Sequence, residues 1–322
     1  MQIIKWDGQP ISQPGAYSGV PMEVYHGANL CDAHSASRSQ LFKMLEKSAA
    51  HLWDTHPLNP DRNEDAETSE ALLIGRAAHH LNLGEADFEK HFVIHPETYP
   101  EGAVYPDEGG KEKPWNLNAN WCKAWVAEME SKGLSVLKPR HIADIEGMAG
   151  GLYANLMVRQ GILNGHIETT LVAKDPKTGV WLKVRPDALP TDSGMVSDLK
   201  TIADVSDQGI ERALKDSGLF MQGALTRRVM TLLGMEFDGF HLVFIEKKRP
   251  FVCRVKTMID ADLDLGDDAI DATLRLYARC MERGLWLGPG GDQADAEFAQ
   301  MSPFARRDIE FRIQQIEKEL SI

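Results

Sequence analysis

Residues 167–202 read IETTLVAKDPKTGVWLKVRPDALPTDSGMVSDLKTI, and the fold turns on them. Two runs rich in β-branched and apolar residues, Ile167–Lys174 and Val180–Leu189, flank DPKTG at 175–179, a strong turn sequence. A second turn, PTDSG at 190–194, leads into MVSDLKTI, a short strand of buried character. Side chains alternate faces along a strand, so Asp198 and Lys200 point the same way and Leu199 points into the opposite layer. The turn brings Asp187, which ends the preceding strand eleven residues earlier, beside them. A third carboxylate, Glu168, starts the strand before.

Two carboxylates and an ammonium converging on one spot suit phosphodiester hydrolysis. Magnesium takes a few carboxylate oxygens and keeps waters and substrate phosphate oxygens in its shell. It stabilises the charge that builds up at phosphorus and acidifies the attacking water. A lysine beside the cation can hold that water. An acid two residues before a lysine recurs at Glu130–Lys132, Asp175–Lys177 and Glu246–Lys248, so the tripeptide alone selects nothing. Asp198–Lys200 differs in lying within an apolar strand, in the Pro186-Asp187 that precedes it, and in the nearby Glu168.

Outward from this stretch, residues 1–35 are rich in Gly, Pro and polar residues without a period, and are expected to form an extended N-terminal arm. Helical spacing with Ser37 as N-cap predicts a helix from about Ser37 to Trp53. A second is predicted from Thr68 to Leu83, and more over 118–132 and 139–161, with a long surface loop over 95–117. Helices are expected over about 205–233, then two strands in FDGFHLVFIE and FVCRVKTMI around the turn KKRP, then about 60 helical residues broken near Gly284–Gly291. The expectation is one α/β domain over 36–260, its catalytic core at 167–260, with 261–322 as a helical C-terminal extension of the same domain.

The chain has 322 residues, 43% of them hydrophobic, enough for a sizeable core, and no stretch approaches a membrane span. No basic-then-apolar leader is visible, which points to the cytoplasm. A net charge of −13 argues against coating nucleic acid by bulk attraction, though not against a local basic groove. Cys31, Cys122, Cys253 and Cys280 form no CxxC pair and read as reduced structural thiols.

The texts ETTLVAKDPKTGVWLKVRPDALP, VSDLKTIADVS and GLFMQGAL resemble the catalytic core of the PD-(D/E)XK nucleases, most narrowly the phage exodeoxyribonuclease VIII and RecB-type exonuclease group. Upstream, SASRSQLFKMLEKSAAHLW resembles the group's N-terminal helix, and LIGRAAHHLNL its Gly-x-x-x-His helix. The resemblance implies a restriction-endonuclease-like fold, a central mixed sheet flanked by helices with helical additions at both ends. It implies a metal set of Asp187, Asp198, Leu199 and His79, the last with the matching spacing from Gly75 that His80 lacks. Lys200 would activate or hold the nucleophilic water, Glu168 would support the site, and Gln222 would be the helix glutamine beside it. Thr226 stands where the group usually has a tyrosine.

The cofactor implied is Mg²⁺, with Mn²⁺ as alternative. Related nucleases with an iron–sulfur cluster gather three cysteines near the C-terminus, which this chain does not, so no cluster is expected. The resemblance further implies digestion of linear double-stranded DNA from an end to 5′-nucleotides, leaving a 3′ tail for a single-strand annealing protein. A ring-shaped homotrimer or homotetramer goes with it. Arg76, Arg185, Arg227, Arg228, Lys247, Lys248 and Arg249 are candidates for the DNA track. Trp115 is a candidate for base stacking, with Trp121 and Trp125 expected in the core. The alternatives are an endonuclease or single-strand-specific nuclease on the same core, or a non-catalytic phage DNA-binding protein.

Overall fold

The structure of the protein, a computed structural model, describes residues 2–63, 69–84, 87–98, 114–292 and 295–320. The chain opens with β1 (Ile3–Lys5), β2 (Gly15–Ser18), α1 (Met22–His26) and β3 (Ser35–Ser37), followed by α2 (Arg38–Glu46), α3 (Ala49–Trp53) and α4 (Glu70–Asn82). Next come α5 (Phe88–His91), β4 (Phe92–Ile94), α6 (Asn120–Ser131), β5 (Ser135–Leu137), α7 (Pro139–Ala154) and α8 (Leu156–Arg159). The decisive stretch supplies β6 (His166–Ile167), β7 (Thr170–Lys174), β8 (Trp181–Val184), β9 (Ala188–Leu189) and β10 (Met195–Ile202). After α9 (Asp207–Asp216) and α10 (Leu219–Leu232) come β11 (Gly239–Glu246), β12 (Cys253–Thr257), α11 (Asp260–Arg283) and α12 (Pro303–Leu320).

The strands build two five-stranded mixed sheets, β1-β2-β7-β8-β3 and β12-β11-β10-β9-β6, flanked by helices, with a small β4-β5 pair besides. One hairpin feeds both large sheets. Its tip, β7 with β8, lies in the first, and its base, β6 with β9, lies in the second. The hairpin splits where Glu168 adopts a left-handed φ of 52° on one side and Pro186 cannot donate on the other. At the split, Glu168 N–H reaches the carbonyl of Asp187 over 3.4 Å. The crossing between sheets therefore sets Glu168 and Asp187 side by side.

β10 runs parallel to β11 over its whole length and buries both faces. Val196, with Phe240, Leu242 and Phe244 of β11, packs toward α10 and α11 in the larger core. Leu199 joins Val243 and Ile245 against Ile74 and Ala77 of α4 and Met148 of α7 on the other side. Burying each such large side chain contributes about 1.5–3 kcal/mol.

Several boundaries differ from the sequence reading. The helix expected over 37–53 is two, because Ser48 accepts the His51 N–H and starts α3 afresh. Residues 1–35 are not an extended arm: β2 pairs with β7 in the first sheet, and Ile11, Tyr17, Val20, Tyr25 and Leu30 close a third core on Val172 and Trp181. Their apolar residues follow no period because loops separate them. α11 packs its buried Leu263, Ile270, Leu274 and Tyr277 in the larger core, so the chain divides after Trp286, not after residue 260. Leu287–Ile322 is a second compact unit, and its α12 has no buried residue. Most of the loop expected over 95–117 lies outside the described residues.

Candidate active site

Asp187, Asp198 and Lys200 meet in the wall of a cavity of about 650 Å³ that also takes in Glu168, His79, Arg76, Gln222 and Lys247. Asp187 and Asp198 are 6% and 1% exposed. The turn at 190–194 lets β9 fold back on β10, pairing Ala188 with Ser197, and Asp187 Oδ2 accepts the Leu199 N–H at 2.6 Å. Lys200 lays its ammonium against Asp198 Oδ2, as their shared strand face requires. Asp198 Oδ1 accepts from Gln222 Nε2 of α10 at 2.7 Å.

α4 delivers His79 from the other side, its Nδ1 3.4 Å from Asp187 Oδ2. Burial alone would lower the imidazole pKa, but the Asp187 carboxylate outweighs it and holds the pKa above the ordinary range. Asp187 is depressed by His79 and Lys200 against the opposing effect of burial, whereas Asp198 is raised by burial and by Asp187. The two acids thus have split tendencies, as expected for a pair awaiting positive charge between them. His80 also lines the cavity and packs against the rings of Phe88 and Phe92, with centroids 5.7 Å and 5.9 Å distant.

Among the described residues, no three His, Cys, Asp or Glu side chains converge as a closed metal cage. Gln222 Oε1 is buried in the cavity wall with no hydrogen-bond donor among the described residues, which fits a hard-cation or water environment. Asp187 and Asp198 would hold the ion. The Leu199 side chain lies in the core and is no ligand, so its backbone carbonyl is the only oxygen it can offer.

Of the basic candidates, Arg76 and Lys247 line the cavity. Arg185 also lines it, but its guanidinium is built into the frame, donating to Thr170 Oγ1 and the Val20 carbonyl and lying 4.4 Å over the Tyr25 ring. Arg227 and Arg228 are paired with α11, Arg227 with Asp264 at 2.7 Å and Arg228 with Asp267 at 3.0 Å. Lys248 pairs with Asp144. Trp121 is 47% exposed rather than in the core, and Trp115 stacks on His95 at 4.5 Å.

Tyr25 and His26 also line the cavity, and sequence reading missed both because they sit in a single-turn helix within the supposed arm. The Thr226 hydroxyl donates back to the Gln222 carbonyl at 2.9 Å, leaving a side cavity of about 160 Å³ among Tyr25, Arg38, Lys183 and Gln222.

Residues 37–293 match the family described as "PDDEXK-like domain of unknown function (DUF3799)". The chain belongs to this family and, with it, to the PD-(D/E)XK superfamily. Among solved structures it is similar to one titled "Putative exonuclease" from Eubacterium rectale, at 12% identity and a TM-score of 0.50, over 83% of this chain and 90% of that one. It also matches an alkaline exonuclease from Laribacter hongkongensis at 15% identity and a TM-score of 0.24, over 52% of this chain and 86% of that one. The first supports the fold. No curated protein matches the sequence.

Proposed function

We propose that the chain is a metal-dependent exodeoxyribonuclease acting on linear double-stranded DNA from an end, releasing 5′-nucleotides and leaving a 3′ single-stranded tail. The observation that carries the reading is the meeting of Asp187, Asp198 and Lys200 at the split between two sheets, in a cavity with cations at its rim. Mg²⁺, or Mn²⁺, held by the two aspartates would neutralise charge at phosphorus and acidify its bound water.

Lys200 would orient the nucleophilic water by donating to it. The water oxygen bonds to phosphorus and gives up a proton, and the bond to the 3′ oxygen of the terminal nucleotide breaks. That oxygen takes a proton as the nucleotide leaves with its own 5′ phosphate. The attacked phosphate stays on the new 5′ end of the strand. Glu168, beside Arg185 at 3.8 Å, would support the aspartates, and His79, 3.4 Å from Asp187, would contact the metal or a phosphate oxygen. Arg76 and Lys247 meet the backbone without reading sequence.

End dependence, the annealing-protein partner and assembly as a homo-oligomer rest on resemblance to the phage exonuclease group. The test is digestion of end-labelled linear duplex and of covalently closed circular duplex with Mg²⁺, each with and without EDTA. Metal-dependent loss of the linear form alone is expected. Cutting of the closed circle turns the reading to an endonuclease on the same core.

A further inference from the structure

Tyr25 lines both the catalytic cavity and the smaller cavity that shares Gln222 with it, and no step outlined above uses it. The residue is 8% exposed, yet its hydroxyl makes no hydrogen bond among the described residues. A buried hydroxyl left in that state costs free energy unless water or a ligand reaches it. Two cations hold the ring, the Arg185 guanidinium 4.4 Å and the Lys183 ammonium 5.4 Å from its centroid. Lys183, 2% exposed, also donates to the Tyr25 carbonyl at 2.7 Å. Burial pushes the Tyr25 pKa up to about 12 against the opposing effect of Arg185, so the hydroxyl keeps its proton and stays a donor.

The smaller cavity has the charge of an anion site. No acidic side chain lines it, although the chain carries a net charge of −13. Arg38 and Lys183 stand in its wall and donate to the carbonyls of Ser217 and Tyr25, and neither forms an ion pair among the described residues. Burying an ammonium without a carboxylate is costly, and burial brings the Lys183 pKa down to about 8. Thr226, on α10, lines the same space, so the phenol on this wall comes from α1 and not from α10. We propose that the Tyr25 hydroxyl donates to a phosphate oxygen of the DNA strand where it passes from the catalytic cavity into the smaller one, with Arg38 as the ionic partner of that phosphate. The proposal rests on the nuclease reading for the identity of its ligand. Tyr25 is then a substrate-positioning residue. It holds a phosphate that does not react, so its loss raises KM and leaves kcat as it was.

Tyr25→Phe keeps the ring with its two cations and removes the hydroxyl alone. Binding of a fluorescent linear duplex to the full chain is followed by anisotropy in EDTA, where nothing is cut, and hydrolysis by initial rates with Mg²⁺. Tyr25→Phe is expected to weaken binding and raise KM about tenfold or more, the worth of a hydrogen bond to a charged group, with kcat unchanged. Its salt dependence should match that of wild type, because the hydroxyl carries no charge. Arg38→Gln should instead lower the slope of log affinity against log salt by about one. Duplexes with 5′-phosphate and with 5′-hydroxyl ends locate the contact: a loss with both supports an internal linkage, and a loss with phosphorylated ends alone supports the terminal phosphate. Equal binding and equal KM for Tyr25→Phe and wild type overturn the inference, and if both proteins cut, the nuclease reading stands. A fall in kcat at unchanged KM, or an unchanged salt slope in Arg38→Gln, overturns it as well. Weakened binding by Tyr25→Phe with no cutting by either protein upholds the phosphate contact and sinks the nuclease reading instead.

Discussion

Gln222, on α10, donates a 2.7 Å hydrogen bond from Nε2 to Oδ1 of Asp198, on β10, across a packed helix–sheet interface. It fixes the plane of a buried carboxylate whose other oxygen faces Lys200. Groups that orient a metal-ligating carboxylate are worth roughly ten- to a hundredfold in metal affinity or activity. Gln222→Ala is therefore expected to lose about that much DNA hydrolysis, partly recovered at high Mg²⁺. A titration of rate against metal concentration checks it, and an unchanged rate at limiting Mg²⁺ would remove Gln222 from the site.

Lys200→Ala should leave metal binding intact and lower the hydrolysis rate by about a hundredfold or more, the span ascribed to positioned proton-handling groups. Single-turnover digestion of end-labelled duplex measures it. Activity within a few-fold of wild type would mean that another residue orients the water.

Asp187 and Asp198 crowd two carboxylates into a buried space, with Lys200 and His79 as nearby positive partners. Added Mg²⁺ is expected to raise the melting temperature of the wild type, since a ligand bound only to the native state stabilises it. Asp198→Asn should abolish that metal response together with activity. Thermal unfolding with Mg²⁺ and with EDTA decides the matter, and a metal response equal in both proteins refutes the assigned ligand.

His56 is 2% exposed, its Nε2 lies 3.0 Å from the Tyr277 hydroxyl, and its Nδ1 accepts the Leu58 N–H. Burial, with Lys183 and His34 adding to it, lowers its pKa from 6.5 to about 4. The unfolded chain then binds the proton more readily than the native one between these values, so stability must fall as pH drops from about 6.5 to about 4. His56→Phe should melt with a shallower dependence over that window. Melting curves in a pH series test this, and parallel curves for both proteins would contradict it.

Gly147 and Gly151 lie one turn apart on α7 and receive Phe251 from the turn between β11 and β12. A Cβ on Gly147 would overlap the Phe251 ring, and one on Gly151 would overlap its backbone carbonyl. Gly151→Ala is expected to destabilise by about 1–3 kcal/mol, the usual cost of overpacking. Urea unfolding measures the change, and a neutral result would show that the turn shifts freely.

The juxtaposition of Asp198 and Lys200 was legible because strand alternation is a local rule: Asp198, Leu199 and Lys200 had to divide between two faces. Glu168 was legible as an acid, but not its left-handed conformation, since nothing in ETTL announces that a strand will change sheets. The pairing of Arg227 and Arg228 was hidden for a related reason. Their partners Asp264, Asp267 and Asp271 lie some 40 residues on in another helix, and charge composition cannot show which cations are already matched. Tyr25 was hidden by the absence of any period around it, although its burial depends on Val172 and Trp181 far along the chain.

The hairpin shared between the sheets has one further consequence. Its crossing point is pinned by the chemistry at Glu168 and Asp187, whereas its tip, the turn at 175–179, lies at the far end of β7 and β8. Length and composition at that tip can therefore drift, or accept an inserted segment, without moving the reacting groups. The hairpin's base, at the candidate site, and its outer tip are separately variable parts of one continuous ribbon.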